Sequence, residues 1–187
     1  FVGWVFGFGY FISNLYWITN SLTFDVNFKF IIPFALILIP LFLGIFYGLV
    51  TFLCNFLNLK NKISSILIFS IVFGGIEFLR SFIFGGFPWN LIVFSLSSNL
   101  TSLQILSYLG TYSLNLLSIT IFLLPVVFFF NHKSSTKLLI FSIGLISVLI
   151  NSLYGYLNIK NFEKKKYDNL NSIIRVISPN IPIQRFL

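Results

Sequence analysis

The sequence predicts an all-α polytopic membrane helical bundle of about five transmembrane helices, followed by the start of a truncated α/β domain. Three observations carry this. Only 9% of the residues are charged and 57% are hydrophobic, against about 25% and about 45–50% in soluble domains. Charged residues are absent from 1–24, 30–59, 81–131 and 138–159, and each run can hold a helix of about 20 apolar residues. The stretch FALILIPLFLGIFYGLV, 34–50, is apolar on every side, unlike the alternating strands of a membrane barrel. A span buried in lipid must satisfy its own backbone polar groups, so these runs are helices.

Composition also excludes other classes. A cytosolic globule or a disordered tail does not have a mean hydropathy of +0.97. The net charge of +8, from 12 Lys+Arg and 4 Asp+Glu, is spread thinly between apolar runs. A nucleic-acid footprint needs basic residues gathered on one face, so no nucleic acid partner is expected.

The membrane domain is predicted over 1–157, with spans at about 2–22, 30–57, 63–84, 103–130 and 138–157. The first carries Gly3 and Gly7 in a small-xxx-small spacing that favours close helix packing, then Asn14, Trp17 and Asn20 along its second half. It lacks the basic n-region of a signal peptide. The second contains Cys54, the one cysteine of the chain; with nothing basic beside it, it reads as a small buried apolar residue. The third admits Glu77 and Arg80 near its end. The fourth groups Gln104, Ser107, Tyr108, Thr111, Tyr112, Ser113 and Asn115 in its outer half, which predicts a hydrogen-bonded or wet region there. His132 and Lys133 lie in the solvated loop before the fifth span.

Lysines in short loops set the orientation. Lys60 and Lys62 lie in one loop and Lys133 and Lys137 in another on the same side, against Lys29 and Arg80 opposite. This places loops 58–62 and 131–137 in the cytoplasm and residues 158–187 on the outer, periplasmic face of a multi-pass protein of the cytoplasmic membrane. Residues 158–171 (NIKNFEKKKYDNLN) read as a polar linker. In 172–187, the β-branched run Ile173-Ile174-Arg175-Val176-Ile177 bounded by Pro179 and Pro182 reads as a strand and turn. One strand needs partners, so it reads as the first strand of a second domain. Phe1 is no initiator and the chain contains no methionine; it reads as a fragment, expected to be unstable by itself.

Glu77 and Arg80 stand three apart and share a helix face. An ion at mid-bilayer costs about 2.5–3.5 kcal/mol and faces a partner or a wet cavity. Two readings stay open: a salt bridge that anchors the helix end to the next loop, or a lipid-headgroup or substrate site. Gly85-Gly86-Phe87-Pro88-Trp89-Asn90 follows as a shaped loop, since glycine permits positive φ and proline fixes the next bend. Phe87 and Trp89 are either belt anchors at headgroup level or the lining of a substrate cavity. The candidate residues are therefore Glu77, Arg80, Phe87, Pro88 and Trp89. No His/Cys/Asp/Glu cluster has metal-ligand spacing, and no nucleophile-elbow, phosphate-loop or zinc-protease motif occurs. Neither metal nor cofactor is expected, and no catalytic group is assigned within the chain.

The segments GFGYFISNLYWITNSL (7–22), EFLRSFIFGGFPWN (77–90), LGTYSLNLL (109–117) and IRVISPNIPIQRF (174–186) together resemble bacterial apolipoprotein N-acyltransferases. The most specific parts are Glu77-Phe78-Leu79-Arg80 with Gly86-Phe87-Pro88-Trp89, and Arg175 with Pro179-Asn180-Ile181-Pro182. The resemblance implies an eight-helix membrane domain with a nitrilase-like domain inserted before its last helix. It implies acyl transfer from a phospholipid, through a cysteine thioester, to the N-terminal amine of a diacylglyceryl-cysteine lipoprotein. The Glu-Lys-Cys triad would lie beyond Leu187, so Cys54 is not the nucleophile. The Pro88–Trp89 loop would border the substrate cavity of a monomer. Ser81, Gly85 and Val93 depart from the residues usual in the family and bear on the loop's fine shape. A polytopic transporter subunit and a non-catalytic membrane anchor are the alternatives; the former calls for pseudo-symmetric halves and paired helix breaks.

Overall fold

The computed structural model describes residues 1–60, 62–83, 86 and 88–164. Among them the regular structure is helical throughout. The α-helices are α1 (Val2–Leu15), α2 (Ile32–Phe56), α3 (Ile63–Arg80), α4 (Leu100–Leu103), α5 (Leu106–Leu123, kinked at Gly110, φ +73°) and α6 (Ser134–Lys164). Four helical stretches are long and apolar enough to cross a membrane: Val26–Phe56, Ile63–Arg80, Leu106–Phe129 and Ser134–Lys164.

The expected span at 2–22 is not among them. Its α-helix stops at Leu15, and Tyr16–Thr23 continues as a 3-10 helix. The reason is local chemistry. Thr19, Ser21 and Thr23 each turn a hydroxyl back onto the carbonyl three residues earlier, at 2.6–2.7 Å, and Trp17 Nε1 does the same to Asn14 O at 2.9 Å. Side chains that bond the backbone in this way compete with the α-ladder and suit the tighter turn.

The other boundaries shift for similar reasons. α3 ends at Arg80, short of the expected 84, where the Ser81 hydroxyl caps Glu77 O at 3.0 Å. Pro125 closes the α-ladder of the fourth span, which goes on as a 3-10 helix over Leu124–Phe129, since proline lacks an N–H and clashes with the preceding turn. α6 runs 31 residues to Lys164, past the expected end at 157 and into the segment read as a linker. At 1.5 Å per residue it is about 46 Å long, more than the roughly 30 Å hydrocarbon core. No strand occurs among the described residues; the strand and turn expected over 172–187 lie outside them.

α1 and α2 pack antiparallel and most extensively. In lipid no hydrophobic force drives helices together, so small residues that let backbones approach matter most. A Cβ on Gly7 would sit 2.8 Å from Gly44 Cα, and one on Gly3 would collide with Tyr47 O and Thr51. The close packing expected of Gly3 and Gly7 is therefore present, with Gly44 as the facing small residue. α3 lies against α2 and α5. The core between α1, α2, α3 and α5 is centred on Phe11, Phe46, Tyr47, Val50, Phe73 and Ile119, and includes the buried Cys54. Outward faces of these helices carry exposed Leu, Ile, Val and Phe, as lipid-facing surfaces do.

Candidate functional site

The last turn of α3 puts Glu77 and Arg80 into the bundle, not onto its surface: they are 0% and 1% exposed. Burial of two charges is tolerable only when both are paired and hydrogen-bonded. Arg80 Nη2 lies 3.9 Å from Glu77 Oε1. The Tyr47 hydroxyl from α2 donates to the same oxygen at 3.0 Å, and Asn115 Nδ2 from α5 donates to Oε2. A cation–π contact adds to this, with the guanidinium carbon 5.2 Å from the centre of the Phe11 ring, an arrangement worth more when desolvated.

The same network grips the chain beyond α3. Arg80 Nη1 donates to Trp89 O at 3.0 Å. The Tyr10 hydroxyl, from α1, donates to Asn90 O at 3.1 Å. Val93 N–H donates to Asn115 Oδ1 at 2.9 Å. Gly86 enters the segment at φ +83°, where an added Cβ would lie 2.5 Å from Ser81 O, so a side chain is excluded there on two grounds. Asn90 leaves the turn at φ +57°. Trp89 is half exposed and stacks on Trp17, with ring centroids 5.3 Å apart and planes at 24°. Pro88 is exposed. Phe87 lies outside the described residues.

Two apolar cavities flank the network. One of about 480 Å³ is walled by Ile18, Phe42, Phe46, Ile83 and Gly86, with Arg80 at its edge. The other, about 390 Å³, lies between α1, α2, α3 and α5 and is lined by Phe6, Tyr47, Phe73, Ile92 and Phe122. The arrangement can hold a loop rigidly beside apolar space.

Of the expected residues, Glu77 and Arg80 meet each other and Arg80 meets Trp89. Pro88 and Trp89 are presented on one short segment. The salt-bridge reading of the pair therefore matches the geometry: it ties the end of α3 to the following loop. Tyr10 and Tyr47 were not among the candidates. Their partners lie 80 and 30 positions away, and the only signal was a hydroxyl placed within an apolar run. In the sequence Asn115 stands out by depth alone; in the structure it bridges Glu77 and Val93.

Residues 1–124 match the family model described as the apolipoprotein N-acyltransferase N-terminal domain. The apolipoprotein N-acyltransferase of Brucella melitensis is 30% identical over 181 residues, which is 96% of this chain and 33% of that protein. Its counterpart from Rhizobium rhizogenes is 35% identical over 126 residues, 67% of this chain and 24% of the relative. That from Rhodopseudomonas palustris is 29% identical over 184 residues, again 96% and 33%. The chain thus spans about a third of the length of the curated relatives it matches. No solved structure matches it. With the greater part of its length covered by the family model, the chain belongs to the apolipoprotein N-acyltransferase family and carries that family's N-terminal domain.

Proposed function

We propose that this chain is the membrane part of an enzyme that moves an acyl chain from a phospholipid, such as phosphatidylethanolamine, to the N-terminal amine of a diacylglyceryl-cysteine lipoprotein. In this reading a cysteine thiolate outside the chain attacks the ester carbonyl and expels a lysophospholipid. The lipoprotein amine then attacks the thioester, loses a proton and releases the thiolate. Splitting one transfer into two lowers each barrier. The Glu-Lys-Cys triad belongs to a nitrilase-like domain that follows α6, begins with the strand over 172–187, and stands on the outer face of the bacterial cytoplasmic membrane.

The observation that carries the reading is the family match over residues 1–124. The chain's own contribution is shape. Glu77 and Arg80 hold the loop, and Phe87, Pro88 and Trp89 border the substrate cavity. A half-exposed indole stacked on a second one suits a lipid substrate.

The test uses the full-length parent gene in a strain depleted of its own N-acyltransferase. Mass spectrometry of lipoprotein N-termini should show N-acylation restored by the wild type. Trp89→Ala should insert normally and fail to restore it. A wild type that is well expressed yet gives no N-acylation removes the reading. Full activity in Trp89→Ala leaves the enzyme assignment standing and reduces the loop to a membrane anchor.

A further inference from the structure

We infer that Tyr10 and Asn115 are positioning residues for acyl transfer, acting through the Trp89–Val93 segment. The inference rests on the reading of the chain as an acyltransferase membrane domain.

The segment needs external support. Pro88–Leu91 belongs to no helix, and Pro88 has no N–H to offer. Asn90 sits at φ +57°, a conformation that non-glycine residues adopt sparingly and keep where the surroundings hold them. The support comes from three helices. α3 holds Trp89 O through Arg80, α1 holds Asn90 O through Tyr10, and α5 holds the Val93 N–H through Asn115. Two adjacent carbonyls and one N–H are thus fixed by three separate elements. Trp89 stands where the first two holds meet.

Each of the two residues is suited to its task in a way near substitutes are not. The Tyr10 ring is locked by Phe11, 5.3 Å away at 82°, and by Tyr47, 5.6 Å away. Its hydroxyl therefore points without adjustment at the carbonyl of the residue with positive φ. Asn115 is 1% exposed and uses both ends of its amide. A backbone N–H can only donate and a carboxylate accepts, so Oδ1 faces Val93 and Nδ2 faces Glu77. Leucine at this position would fill the space and make neither bond. Aspartate would set a second carboxylate against Glu77. The link from Asn115 also couples the carboxylate beside Arg80 to the far end of the segment, so both ends share one network.

The test measures steady-state transfer by the full-length parent enzyme, with phosphatidylethanolamine vesicles as donor and a synthetic diacylglyceryl lipopeptide as acceptor. The variants are Tyr10→Phe, which removes one hydroxyl and keeps the ring, and Asn115→Leu. Rates are taken on monodisperse enzyme whose unfolding temperature has been recorded, so misfolded material does not count. Because misplacing reacting groups by about 1 Å costs large factors in rate, kcat should fall about tenfold or more, with KM for both lipids within about twofold of wild type. Should Asn115→Leu fail to fold, Tyr10→Phe decides the matter alone. Unchanged kcat in folded Tyr10→Phe overturns the inference. A loss confined to KM also overturns it and makes these residues part of lipid binding. A wild type without transfer overturns both this inference and the reading beneath it, and is told apart because no variant is then needed.

Discussion

The span Leu106–Phe129, made of α5 and the 3-10 helix after it, and α6 have the same mean hydropathy, 2.0 over their best windows, yet 28% of the first window is buried inside the structure and only 11% of the second. Hydropathy therefore marks both as spans and says nothing about which is central. What separates them is the depth at which each carries its polar and small residues. α5 places Asn115 and Ser118 where they are buried against its neighbours, and Asn115 bonds the carboxylate at the centre of the bundle. α6 buries only Gly144 and Gly155. It is held at two places along its length. At one, Phe141 packs edge-on to Phe128 at 5.2 Å and Lys137 Nζ donates to Phe128 O at 3.1 Å. At the other, Asn151 donates to Ser102 O at 3.2 Å and Asn158 to Gln104 Oε1 at 2.8 Å. Between them lie cavities of about 220 and 360 Å³. A buried ion centres one helix, and two separate sets of contacts tether the other.

The strongest way to break this contrast is to remove the ion. Glu77→Leu leaves the Arg80 guanidinium buried without its carboxylate and strips Tyr47 and Asn115 of a shared acceptor. Breaking one side of a buried pair costs about 3–5 kcal/mol. SDS-induced unfolding of the purified parent enzyme should show a loss of that size. A loss under about 1 kcal/mol, the level of an exposed pair, would mean that the central network is not what holds α3 to α5.

A finer test lies within α6. A Cβ at Gly155 would collide with the backbone carbonyl of Thr101, whereas one at Gly144 would collide with the end of the Leu124 side chain. Backbone cannot step aside and a leucine methyl can rotate. Gly155→Ala should therefore cost about 1–3 kcal/mol, as overpacking does, and Gly144→Ala less. The same unfolding titration ranks them. The opposite order would show that the tether lies at the Phe128 end and not at the Ser102 end.

How much of this was legible in the sequence follows from the range of each interaction. The long uncharged runs announced α2, α5 and α6, and the apolar stretch before Glu77 announced α3, because hydropathy is a local sum. Glu77 and Arg80 were legible as a pair because they stand three apart on one helix. The break after Leu15 was missed because Tyr16–Thr23 is short of charges, and its tight turns come from hydroxyls bonding back three residues, a signal that hydropathy does not weigh. Tyr10, Tyr47 and Asn115 could not be joined to their partners by any spacing rule, since each bond crosses between helices. An isolated polar residue in an apolar run announces only that it needs a partner. Which partner it finds is decided by packing: Gly7 against Gly44 brings α1 close enough to α2 for Tyr10 and Tyr47 to meet.

The smallest expected effect is the most discriminating for the tether. Asn151 Nδ2 makes one interhelical bond, to Ser102 O, at the edge of the 360 Å³ cavity. Interhelical hydrogen bonds in membranes average about 0.6 kcal/mol and reach about 1.7, because the separated helices also find partners. Asn151→Leu should therefore cost about 0.6 kcal/mol, several-fold less than Glu77→Leu. It should loosen α6 locally, with faster amide exchange over Ser147–Asn158 and none of this at α5. Its leucine side chain would add apolar surface beside the cavity, which offsets part of the lost bond. A cost near that of Glu77→Leu, with exchange rising in α5 as well, would show that α6 is part of the same cooperative unit as the central network. The two helices would then differ in burial alone, and polar contacts of α6 would weigh as much as the buried ion.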